Sequence, residues 1–347
     1  MRDTDVVVVG AGVMGSAAAW RLAARGREVV LLEQFDVCHD RGSSHGAVRV
    51  FRFSYSDPYY VQMAMDALVL WRELEDEAGR AILTVTGGYD FGPPSLLEAN
   101  VAALTERGAS FDLIDGAEVQ RRFPAISLAA DAVVLHQPDA GAIAAERAVQ
   151  TFAERAVHHG AELRERSPVE RIEVSEHGVN VLTADETYRC RVAVVTAGAW
   201  ARNLLEDTGI DLPVVPSRET VAFFLLPDDP PLPVLVEWSD PSPTYALPSP
   251  GQGVKVGWHR SGPETDPNTP GSADRRVLGH LSRWAAEHYP SADREPHHIE
   301  NCMYTNTSDE RFILERHGGL VVGSACSGHG FKFAPLIGER LARLAIS

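Results

Sequence analysis

Four cysteines are all that the 347 residues contain, and Cys38, Cys190, Cys302 and Cys326 stand far apart with no CxxC pair among them. This spacing excludes a zinc knuckle and a dithiol redox motif, and it fits a reducing compartment. No stretch approaches the roughly 20 consecutive apolar residues of a membrane span. The apolar start is broken by Asp5, Gly10, Gly12 and Gly15 instead of leading to a cleavage site, so it reads as mature structure. A cytoplasmic protein without membrane contact is expected. Positive charge is scarce as well: Lys and Arg total 32 against 48 Asp and Glu, and the net charge of -16 repels nucleic-acid phosphates and anionic membrane surfaces alike. An anionic small molecule remains acceptable, because its binding depends on where individual Arg and Lys residues sit. Internal repeats and low-complexity tracts are missing too.

With 44% hydrophobic and 23% charged residues, neither a disordered polymer nor a membrane bundle fits, and the length suits about two domains. Residues 5–34, DVVVVGAGVMGSAAAWRLAARGREVVLLEQ, read as strand, glycine turn, alanine-rich helix and strand. Gly10, Gly12 and Gly15 form GxGxxG at the turn, where absent side chains let a pyrophosphate approach the helix N-terminus, and Glu33 ends the second strand where a ribose hydroxyl is bound. This βαβ unit points to a dinucleotide and leaves NAD and FAD both open. Residues 57–79 carry apolar side chains at helical spacing between Pro58 and Gly79. Short strands and helices follow over 81–139, a helix over 142–159, strands over 161–197, and proline-rich, alternating antiparallel strands over 213–304 with one helix near 273–288. The end returns to strand, glycine turn and helix.

Two further segments carry candidate chemistry. RGSSHGAVRVFRFSY holds Ser43, Ser44, His45, Arg49, Arg52 and Tyr55. On a strand the i, i+3 arginines point to opposite faces, whereas on an irregular turn both reach one pocket; a salt-bridged surface loop is an equal alternative. SGHGFKF sets Lys332 behind Gly328 and Gly330, where backbone amides and a cation can stabilise a bound anion, or where the lysine is simply solvated.

GAGVMG with Glu33, GSSHG with Arg49 and Arg52, YALPSPGQGVKVGWH, NCMYTNTSDERF and SGHGFKF together resemble, in order and over essentially the whole chain, the monomeric sarcosine oxidase family of amine-oxidising flavoproteins. GxGxxG is common to many folds, but CMYT, DERF and GHGFKF in succession are specific to this family. The resemblance implies an α/β fold with α+β character: a Rossmann-type FAD-binding domain of the glutathione-reductase type (1–80, 140–212 and 305–347) interleaved with an antiparallel-sheet substrate domain (81–139 and 213–304). It implies FAD joined covalently through Cys302, which on residues alone reads as a buried structural thiol. Gly10, Gly12, Gly15, Glu33, Ser43, Ser44, His45, Val169, Gly328, Gly330 and Lys332 match its cofactor-binding positions.

By the same resemblance, Arg52 and Lys332 match a carboxylate clamp, with Tyr55 and Tyr245 beside the substrate. Lys255 matches a lysine that promotes reaction with oxygen, Arg49 a residue near the flavin ring, and His259 and Tyr304 groups flanking the substrate. Taken alone, Lys255 would be solvent-exposed on a strand. Discrimination between amines is expected from the pocket around Leu235, Trp238, Tyr245 and Trp258. His158, His159, His297 and His298 are expected at the surface, and adjacent histidines share no face, so no metal site follows. The implied activity is oxidation of an N-methyl amino acid such as sarcosine by FAD and O2, giving hydrogen peroxide and a hydrolysable imine. A cyclic imino acid such as pipecolate, N-methyltryptophan or a glycated amino acid are the alternatives. The partners expected are a small amine and O2, with the chain monomeric. It ends 15 residues after Lys332, where members of that family continue into a tail, so a shortened C-terminus is expected, and Ala345, Ile346 and Ser347 do not form a peroxisomal tripeptide.

Overall fold

A computed structural model of the chain describes residues 1–176 and 178–347, and within them forms sheets of eight, eight and three strands. The first sheet has a parallel core in the order Glu162–Arg164, Val29–Leu32, Arg2–Val9, Thr187–Val195 and Leu320–Ser324. Val6–Val9, Val29–Leu32 and Val192–Val195 are buried throughout, and unbroken aliphatic runs of this kind suit strands covered on both faces. The helix Val13–Ala23 lies over the sheet with Ala145–His158 and Ala334–Ile346 against it. Its approach to the last helix is close enough that a Cβ on Gly338 would stand 2.6 Å from Ala17.

The helix Pro58–Ala78 is delimited by local chemistry. Asp57 accepts a hydrogen bond from the Tyr59 amide, Pro58 occupies the first turn, and Gly79 ends the helix at φ 64°, a left-handed conformation that suits glycine.

The second sheet runs His298–Asn306, Val215–Phe224, Gly253–Trp258, Thr244–Ser249, Val234–Glu237, Gly88–Phe91, Val133–Gln137 and Asp112–Asp115. Neighbours are antiparallel except Val234–Glu237 and Gly88–Phe91, which pair in parallel. One face packs on the helix Arg275–His288 through Val277, Leu281, Trp284 and Ala285.

The third sheet holds Val48–Phe51, Gly141–Ala144 and Leu83–Val85. Two expectations are corrected there. Leu83–Val85 does not join the strands of 81–139 in the second sheet, because it pairs with Gly141–Ala144 so closely that a Cβ on Gly141 would stand 2.0 Å from the Thr84 carbonyl. The helix expected from 142 begins at Ala145, after that strand. No helix among the described residues is long and apolar enough to cross a membrane.

Candidate active site

A cavity of about 790 Å³ extends from the glycine turn at the edge of the first sheet to the inner face of the second. Every residue matched to a cofactor-binding, substrate-binding or catalytic position lines it except Gly15. Gly15 serves packing: a Cβ there would stand 1.8 Å from the Gly10 carbonyl and 2.5 Å from Thr196 Oγ1. Gly10, at φ 97°, approaches the Thr196 carbonyl, which a Cβ would meet at 2.7 Å. The helix behind the turn has Gly12 as a cap without a side-chain acceptor and no acid in its first turn. Ser44 Oγ accepts from the Val13 amide at 3.1 Å, and the positive end of the helix dipole otherwise faces the cavity without an acid. Buried Glu33 accepts from the amides of Ala11 at 2.8 Å and Phe35 at 3.0 Å, fixing the turn against the end of the second strand. A glycine cradle, an open helix end and an acid beside an elongated cavity fit FAD.

Farther in, the strand His298–Asn306 presents Cys302 and Tyr304, two residues apart and so on one face. Cys302 is buried, which raises its thiol, yet the hydrogen bond from His45 and the charges of Lys255 and Arg49 outweigh that and bring it down to about 6. The low value belongs to a thiolate-forming cysteine, not to an inert core thiol. Arg49 is itself held by the carbonyls of Val48 at 2.9 Å, Ser43 at 3.0 Å and His45 at 2.6 Å.

Lys255, on Gly253–Trp258, is only 2% exposed, which overturns the exposed position its strand suggested. Its side chain points inward beneath the neighbouring strand, with Nζ 5.3 Å from the Phe223 ring centroid and 3.6 Å from Glu300. Burial and then Arg49 lower its pKa, while Cys302 and Glu300 oppose them.

Arg52 lies one residue past the strand Val48–Phe51, and both arginines reach the cavity because the chain leaves strand geometry between them. Its guanidinium carbon stands 4.5 Å from the Tyr55 ring and 4.9 Å from the Trp238 ring, while Nη1 donates to Ser54 at 3.0 Å. Ser54 in turn donates to Asp90, which also receives the Trp238 indole N–H at 2.9 Å. Asp90 is fully buried, and burial raises its pKa against the pull of Arg52. Asp90 and Ser54 escaped the sequence reading, although an acid inside the otherwise buried strand Gly88–Phe91 is a visible signal.

Lys332 is 4% exposed and donates to the Tyr55 hydroxyl and the His329 carbonyl, both at 2.8 Å. His329 Nε2 lies 3.0 Å from the Glu310 carbonyl, which can only accept, so that nitrogen carries the proton. Nδ1 then accepts from Tyr55 at 3.3 Å, and the chain of donors is oriented throughout. Burial, followed by Arg52, pushes the Lys332 pKa well down. A second signal went unused: the 32 Lys and Arg residues include only two lysines, Lys255 and Lys332, and both line this cavity.

Tyr245 and Tyr304 share a hydrogen bond, and burial raises both, Tyr245 to about 12. His259 Nε2 lies 3.6 Å from Glu310, and its ring centroid is 5.8 Å from that of Tyr304. The hydrogen bond from His259, with that from Arg260, holds the Glu310 carboxyl down at about 2 despite its burial. Gly328, at φ 75°, makes room for both rings, since a Cβ would stand 2.2 Å from Tyr304 Cε2 and 2.7 Å from His259 Cε1. Gly328→Ala is expected to cost about 1–3 kcal/mol of stability through overpacking, seen as a lowered midpoint in thermal unfolding.

Leu235 and Trp258 do not line the cavity. Strand alternation turns Leu235 to the opposite face, into the core under Arg275–His288, and presents Val236 in its place. Trp258 stacks on His280 with centroids 4.2 Å apart. Trp238 and Tyr245 do line it.

The model of the family described as FAD dependent oxidoreductase matches residues 5–344. A monomeric sarcosine oxidase of Streptomyces avermitilis is 36% identical, with 99% of this chain and 94% of the relative covered. An N-methyl-L-tryptophan oxidase of Yersinia pestis is 27% identical over 99% of this chain and 95% of its own. Among solved structures, NikD, an unusual amino acid oxidase essential for nikkomycin biosynthesis, superimposes with a TM-score of 0.89 at 28% identity, covering 100% of this chain and 95% of that one.

Proposed function

The chain belongs to the FAD-dependent oxidoreductase family and within it to the monomeric sarcosine oxidases, and from that premise we propose that it oxidises N-methyl amino acids, sarcosine foremost, with dioxygen as electron acceptor. Bound FAD supplies the two-electron chemistry that takes hydrogen from the amine's C–H bond and returns the electrons to oxygen as hydrogen peroxide. Gly10, Gly12 and Glu33 hold the dinucleotide, with Ser43, Ser44 and Val169 along its course and Cys302 as the covalent tether. A monomer in the cytoplasm completes the proposal.

The observation that carries this reading is the pair of cations at one end of the cavity, Arg52 and Lys332, with a thiolate-forming cysteine and a third buried cation at the other. A carboxylate placed between Arg52 and Lys332 answers two cations that otherwise oppose each other, and it favours the ammonium form that burial disfavours. The Tyr55–His329 chain keeps the Lys332 ammonium aimed. Tyr304, Tyr245 and His259 surround the amine, and the phenols, kept protonated because burial raises them, serve there as hydrogen-bond donors. Lys255 stabilises negative charge developing on oxygen.

A peroxide assay over sarcosine, pipecolate, N-methyltryptophan and a glycated amino acid tests the substrate, with the highest kcat/KM expected for sarcosine. A cyclic or bulky amine ahead of it would overturn that choice. The tether is tested separately. Yellow colour is expected to precipitate with acid-denatured protein and to pass into the supernatant in Cys302→Ala. In flavin-free protein, alkylation of Cys302 by iodoacetamide is expected to rise with pH through about 6, well below an ordinary thiol, and a midpoint near 9 would remove the thiolate from the proposal.

A further inference from the structure

The strand His298–Asn306 has a second use for its cavity face. His298, Glu300, Cys302 and Tyr304 alternate along it, and register sets His298 opposite Phe223, which lies opposite Lys255 on its other side. The row starts in solvent, where the His298 side chain is 45% exposed, and runs inward to a Glu300 side chain 16% exposed and a Lys255 side chain 3% exposed. His298 Nε2 lies 3.3 Å from Glu300 Oε1, and Glu300 Oε2 lies 3.6 Å from Lys255 Nζ. Oε2 is buried without a hydrogen-bond partner of its own. The Phe223 ring closes over both ends, 5.2 Å from the His298 ring and 5.3 Å from Lys255 Nζ. Gly46 leaves room for the carboxylate: a Cβ there would stand 2.9 Å from Oε2.

We propose that His298 and Glu300 form a proton path from solvent to Lys255, serving the reduction of oxygen. The inference rests on the oxidase reading. Oxidation of a secondary amine to its imine releases two electrons and two protons, and dioxygen takes up two of each to become hydrogen peroxide. A proton given by Lys255 to reduced oxygen is replaced by Glu300, and Glu300 regains one from solvent through the two nitrogens of His298. The other groups facing Lys255 are poor proton sources: Arg49 is held by three backbone carbonyls, and Cys302 is the tether, with His45 hydrogen-bonded to it.

Two lysines in the whole chain make the test direct. Protein grown on 13Cε-lysine gives two ε resonances, and Lys255→Met assigns one of them. In Glu300→Gln the Lys255 resonance is expected to titrate about one pH unit or more lower than in the parent; an unchanged midpoint overturns the coupling. Holoenzyme reduced with dithionite and mixed with oxygen is expected to reoxidise roughly tenfold or more slowly in Glu300→Gln and His298→Gln, with the parent's D2O effect altered. Reduction by amine without oxygen is expected to stay within about twofold. A shifted lysine with unchanged reoxidation would make the pair merely structural and overturn the path. Neither readout needs an amine substrate, so failure of the substrate proposal shows separately, as absent amine-driven reduction.

Discussion

Lys255→Met is expected to react with dioxygen on the order of 10²–10³ times more slowly than the parent while still accepting electrons from the amine. The methionine keeps the bulk of the stem beneath Phe223, so packing changes little and the difference isolates one charge. That charge acts strongly because it is buried, where an ammonium stabilises negative charge on oxygen more than it could in water. Stopped-flow mixing of chemically reduced protein with oxygenated buffer measures the effect. Normal reoxidation with collapsed amine-driven reduction would move Lys255 to the substrate's side of the chemistry.

Arg52→Lys is expected to raise the apparent KM for the amino acid roughly ten- to a hundredfold, the equivalent of about 1.5–3 kcal/mol for one charge-assisted contact. Charge is conserved in this exchange, but the planar two-donor fork is lost, together with its seat between Tyr55 and Trp238. A lysine also leaves Ser54 and the buried Asp90 without the guanidinium they face. Flavin content, read from the visible spectrum, is expected to stay at the parental level. An unchanged KM for every accepted amine would contradict the clamp.

The features legible in the sequence are those decided by near neighbours. Strand, GxGxxG, helix and strand follow one another within about thirty residues, and Asp57, Pro58 and Gly79 mark the ends of their helix by rules of capping and backbone conformation. The cavity lining was legible through motifs that keep Cys302 and Lys332 in fixed contexts. What was hidden depends on contacts between distant segments. Nothing near Leu83–Val85 announces its partner Gly141–Ala144, or the parallel pairing of Gly88–Phe91 with Val234–Glu237. Leu235 and Val236 are equally apolar, and only the finished sheet decides which of them faces the cavity. Glu300 had no signal while His298 counted only as a surface residue, since their meaning depends on Lys255 two strands away.

Both ε-amino groups lie inside the protein, so no lysine offers a primary amine at the outer surface. Aldehydes and activated esters that seek amines therefore meet arginine almost everywhere. Formaldehyde, the product expected from an N-methyl substrate, would find no surface lysine on which to build a Schiff base. For the same reason, amine coupling to a bead or electrode would leave the cavity's lysines untouched.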